Sequence, residues 1–131
     1  MSDFKFIYIE EVLFMHDTVI LNDGGCAGVR DVSLLKSALQ RPVNLSISSP
    51  ESSAFDLAAY LIHGLIQTHP FLDGNKRTAM LAGLILLKRN NAYNDTAGIA
   101  KLEEIALKVC ACKFSENDIA EQLRSLFTNH S

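Results

Sequence analysis

The 131-residue sequence lacks the features that mark several protein classes. No apolar stretch approaches the roughly 20 residues that a membrane-spanning helix needs, and no segment joins a charged start to an apolar run as a signal peptide does. No membrane partner is therefore expected, and a cytoplasmic setting is. Cysteine is sparse: Cys26, Cys110 and Cys112 form an odd set whose spacing matches neither a redox pair nor a zinc knuckle. Together with the scattered histidines they do not supply four zinc ligands at usual spacing. An excess of positive charge is also missing. The net charge of −3 argues against a surface that tracks a nucleic-acid backbone, so no nucleic-acid partner is expected. There is no internal repeat, no low-complexity tail and no Walker-type phosphate loop, because Gly74 is followed by Asn rather than Lys.

What is present reads as one domain of an all-α protein. Phe4, Phe6, Tyr8 and Ile9 alternate enough for a short strand, after which Val12, Leu13, Val19 and Ile20 mark a helix from Glu10 to about Leu21. Asn22-Asp23-Gly24-Gly25 is a turn. Asp31 is placed to cap a second helix carrying Val32, Leu34, Leu35, Ala38 and Leu39, which should stop near Arg41 because a proline disfavours helix in the residue before it. Residues 42–53 are Ser-rich and bracketed by Pro42 and Pro50, with Val43, Leu45 and Ile47 alternating; this segment reads as a flap loop able to form a small hairpin. Ala54 to Thr68 and Ala79 to Leu87 are apolar on nearly every side and should form a central buried helix pair. Lys88 and Arg89 suit the negative end of the second of these. Beyond Asp95 and Thr96, the residues Ile99, Leu102, Ile105, Ala106 and Val109 recur at helical spacing. A Ser115/Asp118 capping box then precedes a last helix with Ile119, Leu123 and Leu126.

The chemistry concentrates at His69-Pro70-Phe71-Leu72-Asp73-Gly74-Asn75-Lys76-Arg77-Thr78, between the two buried helices. A helix start leaves backbone N–H groups unpaired and carries partial positive charge, which suits an anion. Gly74 lets the backbone approach a phosphate closely, and the amides of Gly74 and Asn75 can point at it. Arg77 offers a planar fork for phosphate oxygens and Lys76 a mobile charge. Two cations at the positive end of a helix are in local conflict, which points to a bound anion. An imidazole such as that of His69 can accept a proton from a hydroxyl at neutral pH. Asp73 has two readings, a helix cap or a carboxylate holding Mg2+ beside bound phosphates. Pro70 and Phe71 position the loop. His63 is read as structural, and His16-Asp17 as a support.

These residues resemble the Fic/Doc superfamily, and within it the death-on-curing toxin branch. The centre of the likeness is the H-P-F-x-D-G-N-K-R-T run, supported upstream by Glu10-Glu11-Val12, His16-Asp17, Gly24-Gly25 and the Arg30 to Pro42 pattern. The resemblance implies a compact helical bundle of Fic/Doc type. It assigns His69 as general base, Asp73 as metal ligand, and Lys76 and Arg77 as catalytic cations. Gly74, Asn75, Lys76, Arg77 and Thr78 become the nucleotide and phosphate site, with ATP as substrate and Mg2+ as cofactor. Nucleotide-transferring members resemble H-P-F-x-x-G-N-G-R; the lysine in place of the second glycine is shared with the death-on-curing branch. This implies transfer of the γ-phosphate to a Ser/Thr hydroxyl of a protein such as elongation factor Tu. Gly74, in contrast, matches the nucleotidyl-transferring pattern. The resemblance also places a target-docking flap at Val43, Leu45 and Ile47, suited to adding a strand to the target.

Family members that restrain themselves carry S/T-x-x-x-E-G/N. Here Glu116-Asn117 gives the end, but Cys112 stands where Ser or Thr is needed, so the resemblance implies inhibition by a separate antitoxin chain. Three functional readings follow: a protein kinase, a protein nucleotidyltransferase (AMPylation) acting on the same kind of hydroxyl, or a helical module that only binds a partner.

Overall fold

The computed structural model describes residues 4–92, 99–111 and 113–128. Among them it has six helices and no strand: α1 Ile9–Asp23, α2 Val32–Ser48, α3 Ala54–Thr68, α4 Asn75–Arg89, α5 Ile99–Cys110 and α6 Glu116–Thr128. The expected all-α bundle is what forms. α3 is the centre, packed against α2, α4, α5 and α6. Its Leu57, Ala58, Ala59, Leu61, Ile62, Leu65 and Ile66 are all buried, which explains why it lacks a polar face. Each of those side chains loses its water contact, about 1.5–3 kcal/mol for each large one. Ser53 and Asp56 form the capping box that starts α3, and Ser115 and Asp118 form the one before α6. The expected Asp95-Thr96 helix start lies outside the described residues, as does Cys112.

Two expectations are corrected. Residues 42–48 are not a flap or hairpin but the last two turns of α2, which runs through Pro42. Local preference disfavours this, since proline removes a helical N–H and crowds the preceding turn. Packing outweighs it: Leu35, Ala38 and Pro42 lie on one helix face and are all buried, so ending the helix at Arg41 would pull the Pro42 ring from the core. On a helix, Val43, Leu45 and Ile47 cannot share a face; Leu45 packs against the core while Ile47 is 72% exposed. The connection to α3 is only the short Ser49–Ser53 turn, closed by Ser52 N–H donating to Ser49 O (2.9 Å).

The second correction is the N-terminal strand. Residues 4–8 have no strand partner; instead the side-chain amide of Asn90 takes both main-chain groups of Lys5, each at 2.8 Å. The start of α1 is fixed by Glu11, which accepts from Tyr8 N–H and from both terminal nitrogens of Arg89 at the end of α4.

A second polar cluster joins α2, α3 and α6. Arg41 donates to the Tyr60 carbonyl, to Nδ1 of His63 and to Glu116. Burial holds the His63 imidazole below its usual range, with Arg41 adding to the effect and Glu116 opposing it. Burial works to raise the Glu116 carboxyl, but hydrogen bonds led by Arg41 bring it below the usual range. The Arg89 hydrogen bonds lower Glu11.

The sign for stability follows. In the folded protein His63 binds its proton less readily than in the unfolded chain, so as pH falls below about 6.5 the unfolded state takes up more protons and gains. The lowered carboxylates act the same way below about 4.5. Melting temperature is therefore expected to fall in two stages on acidification. His63→Gln should remove the first stage and leave the second; an unchanged first stage in that variant would refute the assignment.

Candidate active site

α3 ends at Thr68, and His69 follows as its C-cap in the left-handed region (φ 50, ψ 60). That conformation disfavours a residue with a Cβ, so the surroundings must hold it. The segment after α1 does so. Val29 and Phe71 form an antiparallel bridge, Leu72 N–H donates to Gly28 O (3.2 Å), and Arg30 N–H and Asp31 N–H both donate to Pro70 O (2.7 and 3.1 Å). The Arg30 side chain reaches past them to the carbonyls of His69 (2.7 Å) and Thr68 (2.6 Å).

The loop then plunges into the core at Phe71, whose buried ring stacks on His16 with centroids 3.9 Å apart and planes at 8°. His16 is 2% exposed and its Nε2 donates to the Asp73 carbonyl at 2.7 Å. Asn75 closes the turn from the other side: its carboxamide accepts from Phe71 N–H and donates to Phe71 O, both at 3.0 Å. The Asn75 side chain thus holds the loop, leaving only its backbone N–H as a group for an anion. Gly74, at φ 76, is the N-cap of α4, and no side chain caps the helix.

Asp73 does not serve as that cap. Its two carboxylate oxygens accept from Gly74 N–H (3.0 Å) and Cys26 N–H (3.3 Å). A side chain at Gly25, where φ is +111, would come within 2.7 Å of the same carboxylate. Single hydrogen bonds leave each oxygen with a lone pair free, and Asp73 is exposed. Among the described residues no group of three His, Cys, Asp or Glu side chains could hold a metal. One carboxylate with capacity to spare is nevertheless what Mg2+ uses when phosphates and water supply the remaining ligands, so Asp73 fits that role.

His69, Asp73, Gly74, Asn75, Lys76 and Arg77 line one open cleft of ≈ 530 Å³, completed by the α1–α2 turn at Asp23, Gly24 and Gly25. Thr78 is not among the lining residues; it is 0% exposed, and its hydroxyl has no hydrogen-bond partner among the described residues. The Arg77 fork lies between Asp23 (3.7 Å) and Glu103 (3.5 Å). Both contacts are long and solvent-exposed, worth little as ion pairs, and a phosphate can replace them. Beyond Lys76 and Arg77 the surface continues into an apolar groove of ≈ 460 Å³ lined by Met80, Leu81, Leu84, Ala106 and Leu107. Glu116 is not among the residues that line this cleft; it is engaged by Arg41.

From sequence Gly24-Gly25 is a turn, Asp31 a cap, as found, and His16 a support, while Arg30 has no evident task. The available signal was the density of glycines (Gly24, Gly25, Gly28) before Arg30. All three have positive φ and let this segment lie flat against the loop.

The chain belongs to the Fic/DOC family, whose pattern matches residues 6–87. It is similar to protein kinase doc of Escherichia phage P1, with 27% identity over 119 residues, covering 90% of this chain and 92% of the phage protein. No helix among the described residues is long and apolar enough to cross a membrane.

Proposed function

We propose that this chain is a toxin-type protein phosphotransferase that moves the γ-phosphate of ATP to a Ser or Thr hydroxyl of a protein target. The observation that carries the reading is the set of groups sharing one cleft: His69 at the end of α3, and Lys76 and Arg77 in the first turn of α4, whose start no side chain caps. Support comes from the similar phage protein, which is named as a protein kinase. His69 takes the hydroxyl proton as the oxygen attacks the γ-phosphorus. The bond from that phosphorus to the β-γ bridging oxygen breaks, and ADP leaves. Phosphoryl transfer asks a protein mainly for alignment and charge neutralisation, and Arg77, Lys76 and the first amides of α4 provide these. Asp73 would hold Mg2+, which supplies further neutralisation of phosphate charge.

Gly74, left-handed at φ 76, favours a second reading, because a glycine there also suits members that transfer a nucleoside monophosphate. Elongation factor Tu is the first target to test. Inhibition would come from an antitoxin chain, with the apolar groove beside Arg77 as its seat.

The decisive experiment incubates the protein with Mg2+, elongation factor Tu or a bacterial lysate, and ATP labelled at either the α or the γ position. Transfer of the γ-label alone is expected. A target carrying only the α-label would replace the kinase reading with nucleotidyl transfer, and no label from either would leave a binding module.

A further inference from the structure

We infer that Arg30 is a positioning residue for this reaction, acting through His69; the inference rests on the phosphotransferase reading for its rate effects but not for its geometry. Arg30 alone donates to three consecutive carbonyls around the base. Its Nη2 reaches Thr68 O at 2.6 Å and its Nε reaches His69 O at 2.7 Å, while its backbone N–H reaches Pro70 O at 2.7 Å. Those carbonyls belong to the end of α3 and the first loop residue, where helical partners have run out.

His69 sits at φ 50 and ψ 60, uphill for any residue with a Cβ, and such a conformation persists only where the surroundings over-determine it. With the peptide planes before and after His69 both gripped, the direction of its Cα–Cβ bond is set, and with it the sweep of the imidazole over the cleft. The guanidinium suits the task because its donors are rigidly coplanar and can meet two adjacent carbonyls at once. A lysine ammonium has no such geometry. Charge-assisted hydrogen bonds to neutral carbonyls are also stronger than neutral ones, and Arg30 forms no ion pair among the described residues that would draw it away.

The phosphate side of the cleft is held independently. His16 grips the Asp73 carbonyl and Asn75 grips Phe71, neither through Arg30. Loss of the Arg30 side chain should therefore disturb the base and spare nucleotide binding. Misplacing a reacting group by about 1 Å costs on the order of 100-fold in rate.

The test compares Arg30→Ala, Arg30→Lys and each combined with His69→Asn. Arg30→Ala is expected to lower kcat about 10- to 100-fold with KM for ATP nearly unchanged, and Arg30→Lys to recover only part of the loss. In the His69→Asn background the residual rate should not fall further when Arg30 is changed, because there is no base left to position. A merely structural loss would instead multiply through both backgrounds. Independently of any activity, carbon chemical shifts of labelled His69 report its backbone region by NMR. They should leave the left-handed values in Arg30→Ala, and also in Arg30→Gln should the alanine variant fold poorly. Unmoved His69 shifts, or an equal rate loss in both backgrounds, would overturn the inference. Absence of any transfer by the wild-type protein would count against the phosphotransferase reading alone, with the NMR comparison still deciding the role of Arg30.

Discussion

Replacing His69 by asparagine is expected to lower γ-phosphate transfer by about 10²- to 10⁴-fold, the usual contribution of a positioned general base, while the protein folds as before. Asparagine is the informative replacement because of the backbone. His69 lies in the left-handed region at φ 50, which asparagine tolerates better than almost any other residue with a side chain. The two Arg30 hydrogen bonds go to the carbonyls of residues 68 and 69, and these survive any side-chain change. His69→Ala removes the same base but lacks the tolerance of asparagine for the left-handed region, so it should melt earlier than the asparagine variant at equal activity loss. The measurement is transfer of γ-label at saturating ATP, with thermal melts of both variants. Retained transfer in His69→Asn would remove the base from the mechanism. A rate loss matched by a fall in melting temperature would reassign His69 to the fold.

How legible these features were in the sequence varies with the range of the interactions that decide them. α3 was readable end to end, since an apolar content on nearly every side from Ala54 to Thr68 is a local signal. The C-terminal part of α2 was not. The rule that a proline ends a helix is local, whereas the burial of Pro42 depends on partners distant in sequence. The loop from His69 to Gly74 shows the same division. Residue types in the His69 to Arg77 run implied a phosphate site, and all but Pro70 and Phe71 of that run line one open cleft. But side chains with two plausible jobs could not be assigned from type alone. Asn75, a candidate phosphate ligand, is turned onto Phe71, and Thr78 is enclosed by the core. Asp73 meets the Cys26 amide across the α1–α2 turn. Arg30 illustrates the limit most plainly: its partners are Thr68, His69 and Pro70, and the glycines before it signal an unusual backbone path without specifying which carbonyls it meets.

The close approach of α3 and α4, which carry the two ends of that loop, rests on Gly83, and Gly83→Ala is expected to destabilise the protein. A methyl there would stand 2.5 Å from Cδ1 and 2.6 Å from Cγ1 of Ile62, far inside the roughly 3.5–4.0 Å at which carbon atoms attract. Ile62 is fully buried in α3, so it cannot swing into solvent to make room. Two effects oppose each other. Alanine is the better helix former by about 0.8–1 kcal/mol, while overpacking a tight core costs typically about 1–3 kcal/mol. With two atoms overlapped, the upper part of that range should apply, for a net loss of about 2 kcal/mol. Ile62→Ala on its own should cost about 2–5 kcal/mol, by vacating the space that the new methyl would enter. In that background Gly83→Ala should change sign, becoming neutral or stabilising, because the collision is gone while the helix preference remains. Urea midpoints of the four proteins measure the coupling, and an equal cost of Gly83→Ala in both backgrounds would refute the contact. The same spacing bears on the proposed chemistry: α3 delivers His69 and α4 delivers Lys76 and Arg77, so a methyl that wedges the helices apart moves the proposed base away from the proposed phosphate-binding cations. Gly83→Ala should therefore lose transfer rate even under conditions where it remains fully folded, and Ile62→Ala should restore part of that rate.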